Sequence, residues 1–215
     1  MARGKLITIE GIDGAGKTTL AAGLATALGE RGVEVQPVRE PGGVELSEQI
    51  RELLIDPLRT ISPRAEALLY AAARAQLVAE LLEPRLREGA VLILDRFADS
   101  SLAYQGAGRK LGIERLRTLN DFTTGGLLPD RTLLLRVPAA LGRARLEDSS
   151  HALDRLEGET ESFFAAVAGA YDELAAAEPE RFRVLDGSGS VEAVLTAALA
   201  ALSVLLDLEP TGHDH

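Results

Sequence analysis

Short apolar runs alternate with longer stretches of amphipathic pattern along this chain. Five of the apolar runs have strand length and lie at 5–11, 33–40, 90–96, 129–137 and 181–187; each is predicted to form a β-strand. The run AVLILDR is apolar up to its last two residues, which is typical of a strand buried on both faces of a sheet. Repeated strand-then-helix order predicts an α/β fold, a five-stranded parallel sheet with helices on both faces.

The stretches between these runs repeat their apolar positions every three or four residues, which predicts helices. Their predicted bounds are 18–32, 44–54, 62–89, 113–126, about 139–177 and 191–208. Ser62 is the predicted N-cap of the third helix, with Pro63 at its first position, and Gly32 is predicted to close the first helix. The polar segment 147–154, between two helical patterns, is predicted to be a mobile excursion of the chain. We expect a single domain over 1–208 and a disordered tail over 209–215.

Composition and charge narrow the class of protein. A formal net charge of -10 at pH 7 disfavours binding to duplex DNA or to an anionic membrane, so neither is predicted as a partner. The absence of cysteine excludes disulfides and thiolate metal sites and favours a cytoplasmic location. Neither a signal-peptide pattern nor an apolar run of membrane-spanning length occurs. No metal-ligand spacing relates His151, His213 and His215.

Residues 11–18, GIDGAGKT, match the phosphate-loop pattern G-x-x-x-x-G-K-[ST] in full, between a predicted strand and a predicted helix. Glycines let backbone N–H groups turn toward phosphates, and the helix N-terminus adds its positive end. Lys17 is predicted to reach the β- and γ-phosphates of a bound nucleotide, and Thr18 to bind Mg²⁺. The alternative is a glycine-rich turn that only caps a helix. The predicted nucleotide-binding residues are Gly11, Ile12, Asp13, Gly14, Ala15, Gly16, Lys17, Thr18 and Thr19.

Asp95 and Arg96 are the last two residues of the most apolar predicted strand. A carboxylate at the carboxyl end of a strand beside a phosphate loop is suited to help Thr18 hold Mg²⁺, and a neighbouring guanidinium can bind a phosphate with two hydrogen bonds. The alternative is a surface ion pair. A second glycine-rich segment, GAGRKLG at 106–112, does not follow a strand and is predicted to be a loop.

A phosphate loop alone is compatible with a kinase, a switch GTPase or a motor-type ATPase. The guanine-reading pattern Asn-Lys-x-Asp of GTPases does not occur. Tyr70 and Arg74 are four residues apart on one predicted helix, so they share a face on which a nucleobase could stack and accept a hydrogen bond. Spacing alone favours the plainer alternative, a core tyrosine and a solvated arginine. The same holds for two further pairs with this spacing, Ser100 with Tyr104 and Ser101 with Gln105.

Seven strings in family order make the chain resemble the thymidylate kinases. They are IEGIDGAGKTT, REPGG, LLYAAARAQLV, LDRFADSSLAYQG, GGLLPDRTLLL, LGRAR and LDRLE, and they span about residues 5–190. The resemblance implies a P-loop nucleoside monophosphate kinase fold and transfer of the γ-phosphate of ATP to dTMP with Mg²⁺, in dTTP synthesis. It also implies a homodimer. A kinase for another nucleotide or nucleoside, or a nucleotide-binding switch without transfer activity, stays open as an alternative.

The resemblance also implies roles for residues in the dTMP site. Tyr70 matches the residue that stacks on thymine, Arg74 the residue that donates to a thymine carbonyl, and Tyr104 the residue that crowds the sugar 2′ position. Arg96 matches the arginine that binds the acceptor phosphate, and Asp13 the acid that accepts from the sugar 3′-hydroxyl; the alternative for Asp13 is a turn stabiliser. Further positions matched to this site are Glu40, Pro41, Arg51, Ser100, Ser101 and Gln105.

A lid at about 143–157 is implied in the same way. The phosphate loop carries no arginine, so an arginine of the lid is expected to stabilise the charge of the transferred phosphoryl group. Arg155 is predicted as this helper and Arg143 as the stacking partner of adenine, which is expected near 186–190; the alternative is an amphipathic helix with solvated arginines. The predicted catalytic residues are thus Lys17, Arg96, Arg155 and Asp13.

Overall fold

The computed structural model describes residues 3–148 and 154–208. Within these ranges lies one sheet of five parallel strands, in the order β2-β3-β1-β4-β5. The predicted five-stranded parallel α/β fold is confirmed. The strands are β1 Lys5–Glu10, β2 Val35–Arg39, β3 Val91–Asp95, β4 Arg131–Arg136 and β5 Phe182–Asp186.

The two faces of the sheet have separate apolar cores because side chains alternate along each strand. Leu6 of β1 packs with the buried Leu77 and Leu82 of the long helical segment that precedes β3. Ile7 of β1 lies in the other core, with Leu24 of the helix after the phosphate loop. A strand buried on both faces positions its carboxyl end rigidly, and in such sheets ligands bind at that end.

Helices connect the strands and cover the sheet. The predicted N-cap is confirmed, since Ser62 Oγ accepts from the N–H of Ala65 at 3.4 Å. The α-helices are α1 Lys17–Gly29, α2 Glu45–Ile55, α3 Pro63–Leu77, α4 Glu83–Arg87, α5 Ala98–Ser101, α6 Ile113–Thr124, α7 Ala139–Glu147, α8 Glu161–Ala177 and α9 Val191–Leu202.

The predicted long helix 62–89 is interrupted by a π-helical turn, Val78–Leu82, between α3 and α4. Pro84, at the start of α4, has no N–H to donate to the preceding turn, and a wider turn before it accommodates that loss. The predicted helix over 139–177 is also divided, into α7 and α8. These differences leave the order of elements unchanged.

The prediction of a loop at 106–112 was partly wrong. A π-helical segment, Leu102–Gly108, continues α5 through Gly106 and Gly108, and only the residues after it form a turn. A Cβ atom at Gly108 would lie 2.6 Å from the ring of Phe163 on α8. The glycines therefore allow close packing of two helical elements rather than a loop.

Three sequence predictions fall wholly or partly outside the described residues: the tail over 209–215, the centre of the lid, and the histidines at 151, 213 and 215. Among the described residues, no helix combines the length and the apolarity needed to cross a bilayer.

Candidate active site

The phosphate loop joins β1 to α1, as the motif predicts. Gly14 and Gly16 have φ values of 76° and 95°, a left-handed conformation that glycine adopts without steric cost. A Cβ atom at Gly14 would lie 2.1 Å from the carbonyl oxygen of Gly142 on α7. This contact between glycines fixes the start of the predicted lid directly on the phosphate loop.

Lys17 is the first residue of α1 and is 7% exposed. Its Nζ donates to the carbonyl oxygen of Ile12 at 2.9 Å and lies 3.9 Å from Asp13 Oδ1. Burial, together with the charge of Arg96, lowers the pKa of Lys17 to about 8. An anion bound in the loop would favour the charged form and restore its ordinary protonation. The site is therefore built for a ligand that carries negative charge.

Thr18 and Asp95 lie together at the mouth of the loop, where Thr18 Oγ1 donates to Asp95 Oδ2 at 2.6 Å. A hydroxyl and a carboxylate oxygen are ligands that Mg²⁺ prefers. Over residues 3–148 and 154–208, no group of three or more acidic or histidine side chains could hold a metal by itself. The donor set suits an Mg²⁺ ion that completes its coordination with phosphate oxygens and water.

Arg96 lies at the centre of a buried polar cluster. Its Nη2 is ion-paired with Asp13 and donates to Tyr104 Oη at 3.0 Å, and Nη1 donates to the carbonyl oxygen of Gly11 at 3.0 Å. Its Cζ lies 4.7 Å from the centroid of the Tyr104 ring. Burial alone would raise the pKa of Asp13, but the positive charges of Arg96 and Lys17 outweigh burial and hold it below its ordinary value. Asp13 is therefore ionised and accepts hydrogen bonds at neutral pH.

Glu10, the last residue of β1, belongs to this site although sequence reasoning missed it. It is 0% exposed and accepts from the N–H of Phe97 at 2.8 Å, from Ser100 Oγ at 2.6 Å and from Tyr171 Oη at 2.8 Å. These bonds fix the turn that carries Arg96. Burial, with a smaller contribution from the charge of Asp99, raises the pKa of Glu10 to about 7.

Glu10 is expected to make the stability of the fold depend on pH. Its pKa rises from 4.5 to about 7 on folding, so between these values the folded protein retains a proton that the unfolded chain loses. Glu10 therefore destabilises the fold as pH rises through this window, with a slope of up to about 1.4 kcal/mol per pH unit.

Urea denaturation of the wild type and of Glu10→Gln at pH 5 and pH 7.5 measures this contribution. Gln mimics the protonated acid, so the variant lacks the slope of this group. The stability of the wild type relative to the variant is expected to be greater at pH 5 than at pH 7.5. A relative stability that is equal at the two pH values contradicts this assignment.

A cavity of about 830 Å³ opens beside the phosphate loop and extends to α3 and the π-helical segment after α5. It brings together most of the residues that the sequence predicted, although they lie far apart in the chain. Those in its wall are Asp13, Gly14, Gly16, Lys17, Thr18, Thr19, Glu40, Arg51, Tyr70, Asp95, Arg96, Ser100, Ser101, Tyr104 and Gln105.

The position of Arg74 is inconsistent with its predicted contact to a nucleobase. It is 1% exposed and is not in the cavity wall. Its guanidinium is ion-paired with Glu40 and donates to Asn120 Oδ1 at 2.6 Å and to Ser101 Oγ at 2.8 Å. Because these bonds occupy the guanidinium, Arg74 holds Glu40 and Ser101 in place from behind the cavity.

The loop after β2 forms the opposite rim of the cavity. Arg51 Nη1 donates to the carbonyl oxygen of Pro41 at 3.2 Å, which places a guanidinium on the rim, while Pro41 itself is buried outside the wall. Burial raises the pKa of Glu40 despite the charge of Arg74. Glu40 Oε2 is buried and has no hydrogen-bond partner within the described ranges.

The two predicted lid arginines, Arg155 and Arg143, both lie outside the cavity wall. Arg155 is not in the cavity wall; its Nε donates to the carbonyl oxygen of Leu54 at 2.9 Å and its Nη1 to Glu66 Oε2 at 2.6 Å. These contacts hold Arg155 against α2 and α3. This position is inconsistent with a role in stabilising the transferred phosphoryl group at the phosphate loop. Arg143 is 47% exposed and ion-paired with Glu147.

Arg145, for which no specific role was predicted, is in the cavity wall. Its Nη1 donates to the carbonyl oxygen of Gly187 at 3.0 Å and to that of Gly14 at 3.5 Å. The side chain therefore bridges the phosphate loop and the turn at 186–190, where adenine is expected. Its position two residues after Arg143 was visible in the sequence, but the face of α7 that packs on the loop was not.

Comparison with known proteins matches residues 9–198 to the family model described as thymidylate kinase. The chain belongs to the thymidylate kinase family. It is 49% identical over 198 residues to the thymidylate kinase of Bifidobacterium longum (strain NCC 2705), covering 90% of this chain and 95% of the relative.

Relatives from other bacterial groups are about as similar. The thymidylate kinase of Pseudomonas fluorescens (strain SBW25) is 47% identical over 205 residues, covering 95% of this chain and 97% of the relative. That of Pelotomaculum thermopropionicum is 45% identical over 206 residues, covering 95% of both chains. The cavity wall, from Asp13 to Glu157, lies entirely within the region matched to the thymidylate kinase family.

Proposed function

We propose that this protein is a dTMP kinase, which transfers the γ-phosphate of ATP to dTMP. One observation carries the proposal: a single cavity runs from a phosphate loop, at Lys17 and Thr18, to a second set of groups around Tyr70, Arg96 and Gln105. A protein that only binds or hydrolyses ATP has no need of this second set. Two adjoining subsites are the arrangement that direct transfer between two bound nucleotides requires.

ATP is proposed to bind with its phosphates on residues 11–19. Lys17 contacts the β- and γ-phosphates, and Mg²⁺ is held by Thr18 with Asp95 nearby. Arg145 lies along the nucleotide, since it already bridges the loop and the turn at 186–190. We therefore assign to Arg145 the charge-stabilising role that the sequence suggested for Arg155.

dTMP is proposed to occupy the other end of the cavity. The base lies against Tyr70, with Ser101 and Gln105 at its edge, and the phosphate meets Arg96 and Arg51. Asp13, held by Arg96 and Tyr104, accepts from the sugar 3′-hydroxyl through its remaining acceptor sites. Tyr104 faces the sugar, where a 2′-hydroxyl would compete for space.

Transfer in this site needs no covalent enzyme intermediate. The dTMP phosphate oxygen attacks the γ-phosphorus in line with the departing ADP oxygen, and negative charge spreads over the transferred group. The cations around the cavity, Lys17, Arg96 and Arg145, stabilise that charge. Their positions are fixed by the protein before the substrates bind, which lowers the cost of reorganisation during the reaction.

A coupled assay of ADP release tests the proposed function across a panel of nucleoside monophosphates. ADP formation is expected to depend on the added monophosphate and to be fastest with dTMP. Slow hydrolysis that is indifferent to the monophosphate would instead show a nucleotide-binding switch. Faster turnover of another monophosphate would show a kinase of different specificity.

The proposal includes a homodimer formed through α3 and its neighbours. Ala65, Leu68 and Ala72 lie three and four residues apart, on one face of α3, and all three are exposed. Leu68 is 59% exposed, and Phe122, on the adjacent α6, is 86% exposed. A row of small and apolar side chains on a helix suits close packing against the same helix of a second copy. A cytoplasmic location stays a prediction from the sequence.

Phe122→Asp is expected to convert the dimer to a monomer, because a charge would be buried in an apolar interface. Sedimentation velocity at micromolar concentration measures the change. Val204→Asp is the matched control, since Val204 is also 86% exposed and belongs to neither α3 nor α6. A wild type that sediments as a monomer, or a dimer that survives Phe122→Asp, would contradict this interface.

A further inference from the structure

Glu66 lies behind the proposed base subsite, one helical turn before Tyr70 on α3, and is 0% exposed. Its carboxylate receives hydrogen bonds from three side chains. Gln105 Nε2 donates to Oε1 at 2.9 Å, Arg155 Nη1 donates to Oε2 at 2.6 Å, and the Arg109 Nε lies 3.1 and 3.2 Å from the two oxygens. One carboxylate thus joins the cavity wall to the segment that carries Arg155.

We propose that Glu66 is a positioning residue that fixes which way the amide of Gln105 faces, and thereby which pyrimidine the cavity accepts. This inference rests on the proposed binding of the dTMP base beside Gln105. An ionised carboxylate can only accept, so the amino end of the Gln105 amide must face Glu66. The carbonyl oxygen is then the end of the amide that is left for another donor.

The orientation of this amide distinguishes pyrimidines by the hydrogen at N3. Thymine and uracil carry an N–H at N3, which donates to a carbonyl oxygen, whereas N3 of cytosine is an acceptor and would oppose it. Burial alone would raise the pKa of Glu66, but its hydrogen bonds with Arg109, Gln105 and Arg155 outweigh burial and hold it below the ordinary value. The carboxylate is therefore ionised throughout the neutral range.

Glu66→Gln changes the amide of Gln105 in a predictable way. The new side chain has one accepting and one donating end. A guanidinium has no acceptor, so the donating end is most disfavoured in the place of Oε2, which faces Arg155 and two nitrogens of Arg109. In the place of Oε1, which meets only Arg109 Nε besides Gln105, it can donate to Gln105 if that amide turns by about 180° and offers its carbonyl oxygen. The turned amide would then present its amino group to the base, which suits N3 of cytosine and opposes N3–H of thymine.

The test compares kcat/KM for dTMP, dUMP and dCMP in the wild type and in Glu66→Gln. We expect the dTMP-to-dCMP ratio to fall by about tenfold or more in the variant, since a misdirected buried hydrogen-bonding group discriminates strongly. The dTMP-to-dUMP ratio is expected to stay unchanged, because both bases carry N3–H. Glu159→Gln is the matched control: it removes the other carboxylate bound to Arg109 and should leave both ratios unchanged.

A purely structural role for Glu66 would lower kcat/KM for all three substrates in proportion, with both ratios unchanged, and that result overturns the inference while leaving the proposed function intact. A wild type without dTMP-dependent ADP release overturns both.

If circular dichroism shows that Glu66→Gln is unfolded, Gln105→Met provides the test. It removes the amide and keeps both arginines on Glu66, so the same fall in the dTMP-to-dCMP ratio is expected, and an unchanged ratio contradicts the inference.

Discussion

Lys17→Met is expected to lower kcat/KM for phosphorylation of dTMP by about a thousandfold, because it removes a fixed charge that contacts the transferred phosphoryl group. Lys17 is buried and already lies at the phosphate loop, so its charge acts where little water screens it. The folded protein is expected to retain its thermal stability, since methionine keeps the length of the side chain and burial disfavours the charged form of Lys17. Steady-state kinetics and thermal denaturation measure the two effects.

Lys110→Met is the matched control for this variant. Lys110 is exposed and is not in the cavity wall, so kcat/KM is expected to stay within a factor of about two of the wild type, as for most surface substitutions. A Lys17→Met enzyme that keeps more than a tenth of wild-type activity would contradict the placement of ATP on this loop.

Arg96→Gln is expected to produce the second largest effect, and to act on dTMP more than on ATP. Arg96 is proposed to contact the dTMP phosphate, and it holds Asp13 and Tyr104 in position. Its loss should lower kcat/KM by about a hundredfold or more, with a rise in the KM for dTMP. The dissociation constant of ATP, measured by isothermal titration calorimetry, should change only a few-fold.

Arg96→Lys separates charge from geometry at this position. Lysine keeps the charge but cannot form the two-sided contact with a phosphate and Asp13, so an intermediate activity is expected. Arg64→Gln is the control, since Arg64 is exposed and lies outside the cavity wall. A variant Arg96→Gln that loses ATP affinity and dTMP affinity equally would contradict an assignment of Arg96 to the acceptor phosphate.

The fold was predictable because its signals are local. The apolar run before Asp95 and the glycine pattern before Lys17 each specify a short stretch of backbone, and the repeated order of strands and helices then determines a parallel sheet. The family resemblance extended this to Tyr70 and Gln105, whose spacing alone favoured a plainer interpretation. The structure brings both into the cavity wall.

The remaining features depend on tertiary contacts that spacing does not encode. Spacing places Arg74 on the same helical face as Tyr70, but it does not reveal that Glu40 and Ser101 cover the guanidinium. In the same way, the choice between Arg145 and Arg155 depends on the path of the chain after α7.

Glu10 is the clearest example of a site residue whose role the sequence does not reveal. It ends β1, and its partners are distant in the chain. Ser100 lies 90 residues away and Tyr171 lies 161 residues away. Glu10 directly precedes the first glycine of the phosphate loop and ends a strand that is otherwise mostly apolar. This position could have suggested a buried carboxylate. Nothing local indicated that it supports the turn of Arg96.

A crystal structure with dTMP and a non-hydrolysable ATP analogue tests the central claim most directly. It is predicted to show the thymine ring against the ring of Tyr70 at roughly 3.5–4 Å, with the dTMP phosphate in hydrogen-bonding distance of Arg96 and the analogue on residues 11–19. Density for thymine at any position away from both Tyr70 and Gln105 would contradict the account.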